Sequence, residues 1–143
     1  MGVNSGKRVR VVLRWIQIKD KLEPFFKDYG EFFFRTKVTS GDQVVEHRLP
    51  EKGHWEISDQ PRFNRVDKID KVIFEGEPGD TLVVELFGEE IDQLSANDQL
   101  DPYRREFSGD CEAWRGRHAP GDEGSVDPEN LSNWRVGYDI EMA

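Results

Sequence analysis

Asp80-Thr81-Leu82-Val83-Val84-Glu85-Leu86-Phe87, followed at once by Gly88-Glu89-Glu90-Ile91-Asp92-Gln93-Leu94-Ser95-Ala96-Asn97-Asp98-Gln99-Leu100, is the stretch that decides how this chain folds. Its first part sets Leu82, Val84 and Leu86 on one face and Val83, Glu85 and Phe87 on the other, the period-two alternation of a β-strand. Its second part is an acidic loop that runs into another extended segment, Leu100 to Phe107, so carboxylates gather at the rim of a sheet. A hard cation such as calcium takes roughly six to eight oxygen ligands, and a loop of this kind supplies several. An acidic surface loop that binds nothing is the alternative.

The same alternation recurs on both sides of this stretch. Arg8 to Ile18 sets Val9, Val11, Leu13 and Trp15 on one face, with Val12, Ile16 and Ile18 on the other, as in a strand covered on both sides. Gly30 to Ser40 aligns Phe32, Phe34, Thr36 and Val38. Gln43 to Leu49 continues after a bend as Gly53 to Ile57, and Val66 to Phe74, Glu112 to His118 and Trp134 to Met142 complete the set. Val66, Ile69 and Ile73 also fit helical spacing, but their β-branched content and the turn Gly76-Glu77-Pro78-Gly79 favour a strand. Trp15 and Trp134 are expected in the core. The pattern predicts an all-β chain, an eight-stranded antiparallel β-sandwich forming one domain over residues 1–143, with residues 1–7 as a flexible N-terminus.

If the strands alternate up and down, the short turns at Gly41-Asp42, Gly76 to Gly79 and Ser108-Gly109-Asp110 fall at one end. The long connections Lys19 to Tyr29, Ser58 to Arg65, Gly88 to Gln99 and Arg115 to Asn133 then share the other, carrying many carboxylates. A rigid sandwich displaying polar loops at one end is a common way to build a binding site. A solvated rim of mixed charge, with Lys19, Lys21 and Lys27 as counter-ions, is the plainer reading.

Composition limits the choices. A net charge of -9 argues against general affinity for nucleic acid, and anionic membranes would repel the chain unless a bound cation reversed the local charge. Hydrophobic residues at 36% suffice for one core, yet no apolar run approaches a membrane span or a secretory signal. The single Cys111 forms no internal disulfide, which fits a cytoplasmic protein.

The strand order and two loop motifs resemble the C2 domain family, eight-stranded sandwiches that bind calcium and phospholipid through loops at one end. Glu90-x-Asp92-x-x-Ser95-x-Asn97-Asp98-x-Leu100 follows the spacing of the family's third calcium loop, with Glu for the first Asp. Asp20 and Asp28-Tyr29 stand where the family's first loop carries ligands. The resemblance implies a calcium site of Asp20, Asp28, Glu90, Asp92, Asn97 and Asp98. It further implies calcium-dependent association with an anionic phospholipid membrane or a protein partner, at the membrane periphery, with Phe25 and Phe26 entering the interface. Packing of this Phe pair under its own loop is the alternative. Members of the family that lack ligands act as calcium-independent protein-interaction domains.

Other constellations carry less. His47, His54 and His118 lie apart without catalytic company, and no nucleophile elbow or phosphate loop is present, so no enzyme activity is expected. Trp55 and Trp114 would support a carbohydrate-binding module if both were exposed on one face. Arg104, Arg105, Arg115 and Arg117 on adjacent strands could meet an acidic partner or phosphoinositide, or pair with Glu106 and Glu112.

Overall fold

The computed structural model describes residues 2–19, 30–58, 64–91, 96–121 and 126–143. They form two antiparallel sheets. One holds β1 (Val9–Ile18), β5 (Arg65–Val66), β6 (Lys71–Gly76), β10 (Gly116–His118) and β11 (Trp134–Met142). The other holds β2 (Gly30–Ser40), β3 (Gln43–Leu49), β4 (Trp55–Ile57), β7 (Thr81–Glu90), β8 (Asp98–Gln99) and β9 (Tyr103–Ser108). In the first sheet β1 lies between β11 and the β5–β6 pair, with β10 outside β11. In the second, β2 and β7 are central, flanked by β3 with β4 and by β8 with β9.

Inward-facing residues of both sheets share one core. Val9, Val11, Leu13, Trp134, Val136 and Ile140 from the first meet Phe32, Phe34, Val38, Leu82, Val84 and Leu86 from the second. The Phe34 and Trp134 rings meet across the gap, tilted at 37° with centres 5.6 Å apart. The arrangement is an all-β sandwich.

The structure has eleven strands among the described residues, where eight were expected. Two expected strands are each broken in two, and a further short strand, Asp98–Gln99, forms inside the expected loop. Pro50 has no N–H to extend a ladder, so the edge against β2 stops at Leu49 and resumes at Trp55. Val66 to Phe74 is interrupted by left-handed backbone at Lys68 and Asp70, where Ile69 N donates to the Arg14 carbonyl. Strand pairing with β7 breaks between β8 and β9.

Two local readings are corrected. Glu112 to His118 is not one strand. Asp110 accepts a hydrogen bond from Glu112 N at 3.0 Å and caps a 3-10 turn, Cys111–Trp114, leaving only Gly116–His118 as strand. Trp15 does not enter the core. A bulge at Arg14 shifts the parity of β1, so Val9, Val11 and Leu13 point inward and then Ile16 and Ile18 do. Trp15 lies outside, half-buried over Gly137, with the Arg65 guanidinium 4.1 Å from its ring centre.

The two ends differ as the strand directions require. Buried Asn4 ties the short turns together: its Nδ2 donates to the carbonyls of Gly79 and Gly109, and its Oδ1 accepts from Cys111 N. The segment expected as a flexible start therefore carries the plug of this end. At the other end, Ile18 N bonds the Asn64 carbonyl, Lys19 N the Asn133 carbonyl and Ile91 N the Glu31 carbonyl. Those bonds draw together the strand ends that bracket the long connections.

Candidate functional site

At the loop end, the strand next to the acidic loop is longer than its sequence suggests. Gly88, Glu89 and Glu90 belong to β7, not to the loop. Gly88 is a packing residue with inward parity: a Cβ there would lie 2.6 Å from Leu100 Cδ1 and 2.7 Å from Phe34 Cε1. Alternation then carries Glu90 inward, where it is 1% exposed instead of standing on the rim. Its carboxylate lies over Gly30, whose missing Cβ would sit 2.5 Å from Glu90 Oε2.

Asp98, half-buried on β8, is the direct cross-strand partner of Glu90, so both carboxylates face the other sheet. Asn97 adjoins them, half-buried. The structure thus sets Glu90 opposite Asp98, with Asn97 next to Asp98 in the chain. Asp20, Asp28 and Asp92 lie outside the described residues, as do Phe25 and Phe26.

Near this end a buried polar cluster joins the sheets. Tyr103 on β9 donates to Glu129 Oε2 at 2.6 Å and shares a 2.6 Å hydrogen bond with Tyr138 on β11. Arg105 pairs with the same Glu129 oxygen at 3.0 Å. Burial pushes both phenols far above the usual tyrosine range, so they act as neutral hydrogen-bond groups. Glu129, itself 2% exposed, is the anchor that fastens the segment before β11 to the core.

The anticipated arginine cluster is dispersed. Arg105 turns inward to Glu129, Arg104 faces Glu85 and Glu106, and Arg117 reaches Asp139 at 3.2 Å. The strands carrying them, β9 and β10, belong to different sheets. The condition for a sugar-stacking face is also unmet: Trp114 is 3% exposed, and Trp55 packs inward 6.0 Å from the Phe34 ring.

A concave feature lies elsewhere, on the outer face of the β3–β2–β7 sheet. It is a hollow of about 640 Å³ bounded by Phe33, Arg35, His47, Arg48, Phe87 and Glu89. The β2–β3 register sets Arg35 directly opposite Arg48, and the β2–β7 register sets Phe87 on the other side of Arg35. Both guanidinium groups lie over the Phe33 ring, at 5.5 Å for Arg35 and 4.5 Å for Arg48. Arg48 also donates to the Pro50 and Gly53 carbonyls at 2.7 and 2.8 Å, which fixes its head and the bend leading to β4.

Two like charges directly opposed across a ladder repel, and among the described residues Arg35 forms no ion pair. Phe87, 37% exposed, adds an apolar wall. The hollow sets Arg35, Lys37 and Arg48 beside an aromatic floor, with Glu46 and Glu89 also on its border, and its arginine side suits a carboxylate or phosphate on an extended chain. Sequence reading missed it, although the register was countable. Stepping back equally from the Gly41-Asp42 turn pairs Arg35 with Arg48.

Fold and hollow together define the class: an antiparallel two-sheet β protein with a charge-bearing hollow on the outer face of one sheet. The sequence matches no protein-family model and no curated protein.

Proposed function

We propose that this chain is a non-catalytic binding module, a divergent C2-like sandwich of eight strand positions, which engages an acidic segment of a partner protein without needing calcium. The observation that carries this reading is the pair Arg35 and Arg48, opposed over Phe33 beside Phe87 in the outer hollow. The body of the molecule carries a net charge of -9, so long-range attraction for polyanions is weak. Recognition then rests on short-range pairing to guanidinium groups and ring contact, which favours a partner carrying both a carboxylate and an apolar side chain.

The test is an NMR titration with a short Glu-rich peptide bearing one Leu. Saturable shifts should centre on Phe33, Arg35, Arg48 and Phe87, weaken with added salt, and vanish in Arg35→Ala. That variant should keep its stability within about 0.5 kcal/mol, because Arg35 is exposed, forms no ion pair among the described residues and lies farther from the Phe33 ring than Arg48 does. Shifts centred elsewhere, or none, overturn the reading.

A second reading is favoured by the pairing of Glu90 with Asp98 beside Asn97 at the loop end. Two carboxylates on one face suit a calcium ion, and a cation there would support calcium-dependent association with anionic phospholipid. A thermal melt separates the two, since millimolar calcium must raise the melting temperature if it binds the native state.

A further inference from the structure

We infer that Glu31, His54 and Glu56 form a binding site for a divalent transition-metal ion, zinc foremost. The site shares no residue with the hollow or with the Glu90–Asp98 pair, and it holds whichever of those readings survives. Its geometry comes from strand pairing. Glu31 on β2 and Glu56 on β4 are direct cross-strand partners with outward parity. His54, immediately before β4, brings Nε2 to 3.7 Å from Glu31 Oε1. One donor atom from each residue lies within 4.8 Å of the other two. Ligands about 2.0–2.1 Å from a tetrahedral ion stand roughly 3.4 Å apart, so modest side-chain rotation closes the triad.

The scaffold holds the triad in place. Gly53 adopts φ +76, and Arg48 clamps the Pro50 and Gly53 carbonyls, so the turn presenting His54 is fixed from β3. The electrostatics also call for a cation. Two carboxylates opposed across a ladder repel, and among the described residues neither Glu31 nor Glu56 is paired with a lysine or an arginine.

Donor chemistry selects the metal. One imidazole nitrogen with two carboxylates suits zinc and its first-row neighbours, whereas calcium demands roughly six to eight oxygens. Three protein ligands leave the fourth position of a tetrahedral ion to water or to a side chain of a bound partner. The sequence shows only half of this: His54 and Glu56 are two apart on one segment, and Glu31 arrives through tertiary pairing.

The experiment is calorimetric titration of the full chain with zinc chloride after chelator treatment, with calcium and magnesium chloride as controls. One equivalent of zinc should bind and raise the melting temperature, and the His54 ring resonances should shift. His54→Ala should weaken binding at least about tenfold and Glu56→Gln should also weaken it, while Asp42→Asn, in the turn between β2 and β3, changes nothing. All three changes lie on the surface, and unaltered circular dichroism would show that the fold is kept. Absence of zinc binding, or equal affinity in His54→Ala, overturns the inference.

Discussion

On the outer face of the β1-containing sheet, Arg14 reaches three carboxylates: Asp139 at 2.8 Å, Glu141 at 2.8 Å and Asp70 at 3.0 Å. On the outer face of the other sheet, Arg35 reaches none among the described residues and lies against Phe33 and a second arginine. The first face is a closed ladder, in which Arg10 pairs with Glu75 and Glu141 and Arg117 with Asp139. Its charges are spent on one another, and its large aromatic, Trp15, is roofed by Arg65. The second face keeps a cation, Arg35, that forms no ion pair among the described residues, beside an exposed ring, Phe87. A saturated face stabilises the molecule; an unsaturated one is left for something outside it.

The largest effect expected on the closed face comes from Gly137→Ala. Gly137 is the cross-strand partner of Trp15, and a Cβ there would overlap the indole. The ring must leave its place under Arg65, and overpacking of this kind costs about 1–3 kcal/mol, more than a strand gains from replacing Gly. Urea unfolding should show the loss together with a red-shifted tryptophan emission. A change below about 0.5 kcal/mol would mean that the Trp15 roof is loose and that the closed face is less ordered than its ion pairs suggest.

Next comes Arg14→Ala, expected to cost about 1–2 kcal/mol. The Arg14 side chain is 30% exposed and Asp139 only 15%, so removal leaves a carboxylate that water reaches poorly with Arg117 as its remaining cation among the described residues. The matching change on the open face, Arg35→Ala, should be nearly silent in stability. The contrast is therefore measurable in one set of denaturation curves. Equal losses from the two arginines would erase the distinction between the faces.

Much of this was legible in the sequence. Period two located most strands, and the bounds of Gly30–Ser40, Gln43–Leu49 and Trp134–Met142 are those the alternation suggested. The bulge in β1 was also written there, since apolar parity runs 9, 11, 13 and then 16, 18, but it reads as two covered faces unless a bulge is allowed. Glu90 was misplaced because Gly88 looks like a turn, when it is the packing of Leu100 and Phe34 that demands a glycine. The hollow and the Glu31–His54–Glu56 triad were harder to see. Each is assembled across strands, and alternation gives facing but not register until a turn fixes it.

The smallest effect tests the border between the faces, where β3 of one sheet approaches β6 of the other. His47 is half-buried there, and its pKa is lowered first by burial and then by the Lys71 cation, with Glu51 acting weakly the other way. The unfolded chain, with an ordinary pKa of about 6.5, therefore binds a proton that the folded chain resists. Stability attributable to His47 is complete above that value and declines as pH falls below it, levelling once the folded-state pKa is passed. Denaturation midpoints between pH 8 and pH 5 should fall in the wild type, and His47→Gln should remove part of that slope. An unchanged slope in His47→Gln would place the acid sensitivity elsewhere. It would also show that a charge at this edge is tolerated as readily as on the open face it adjoins.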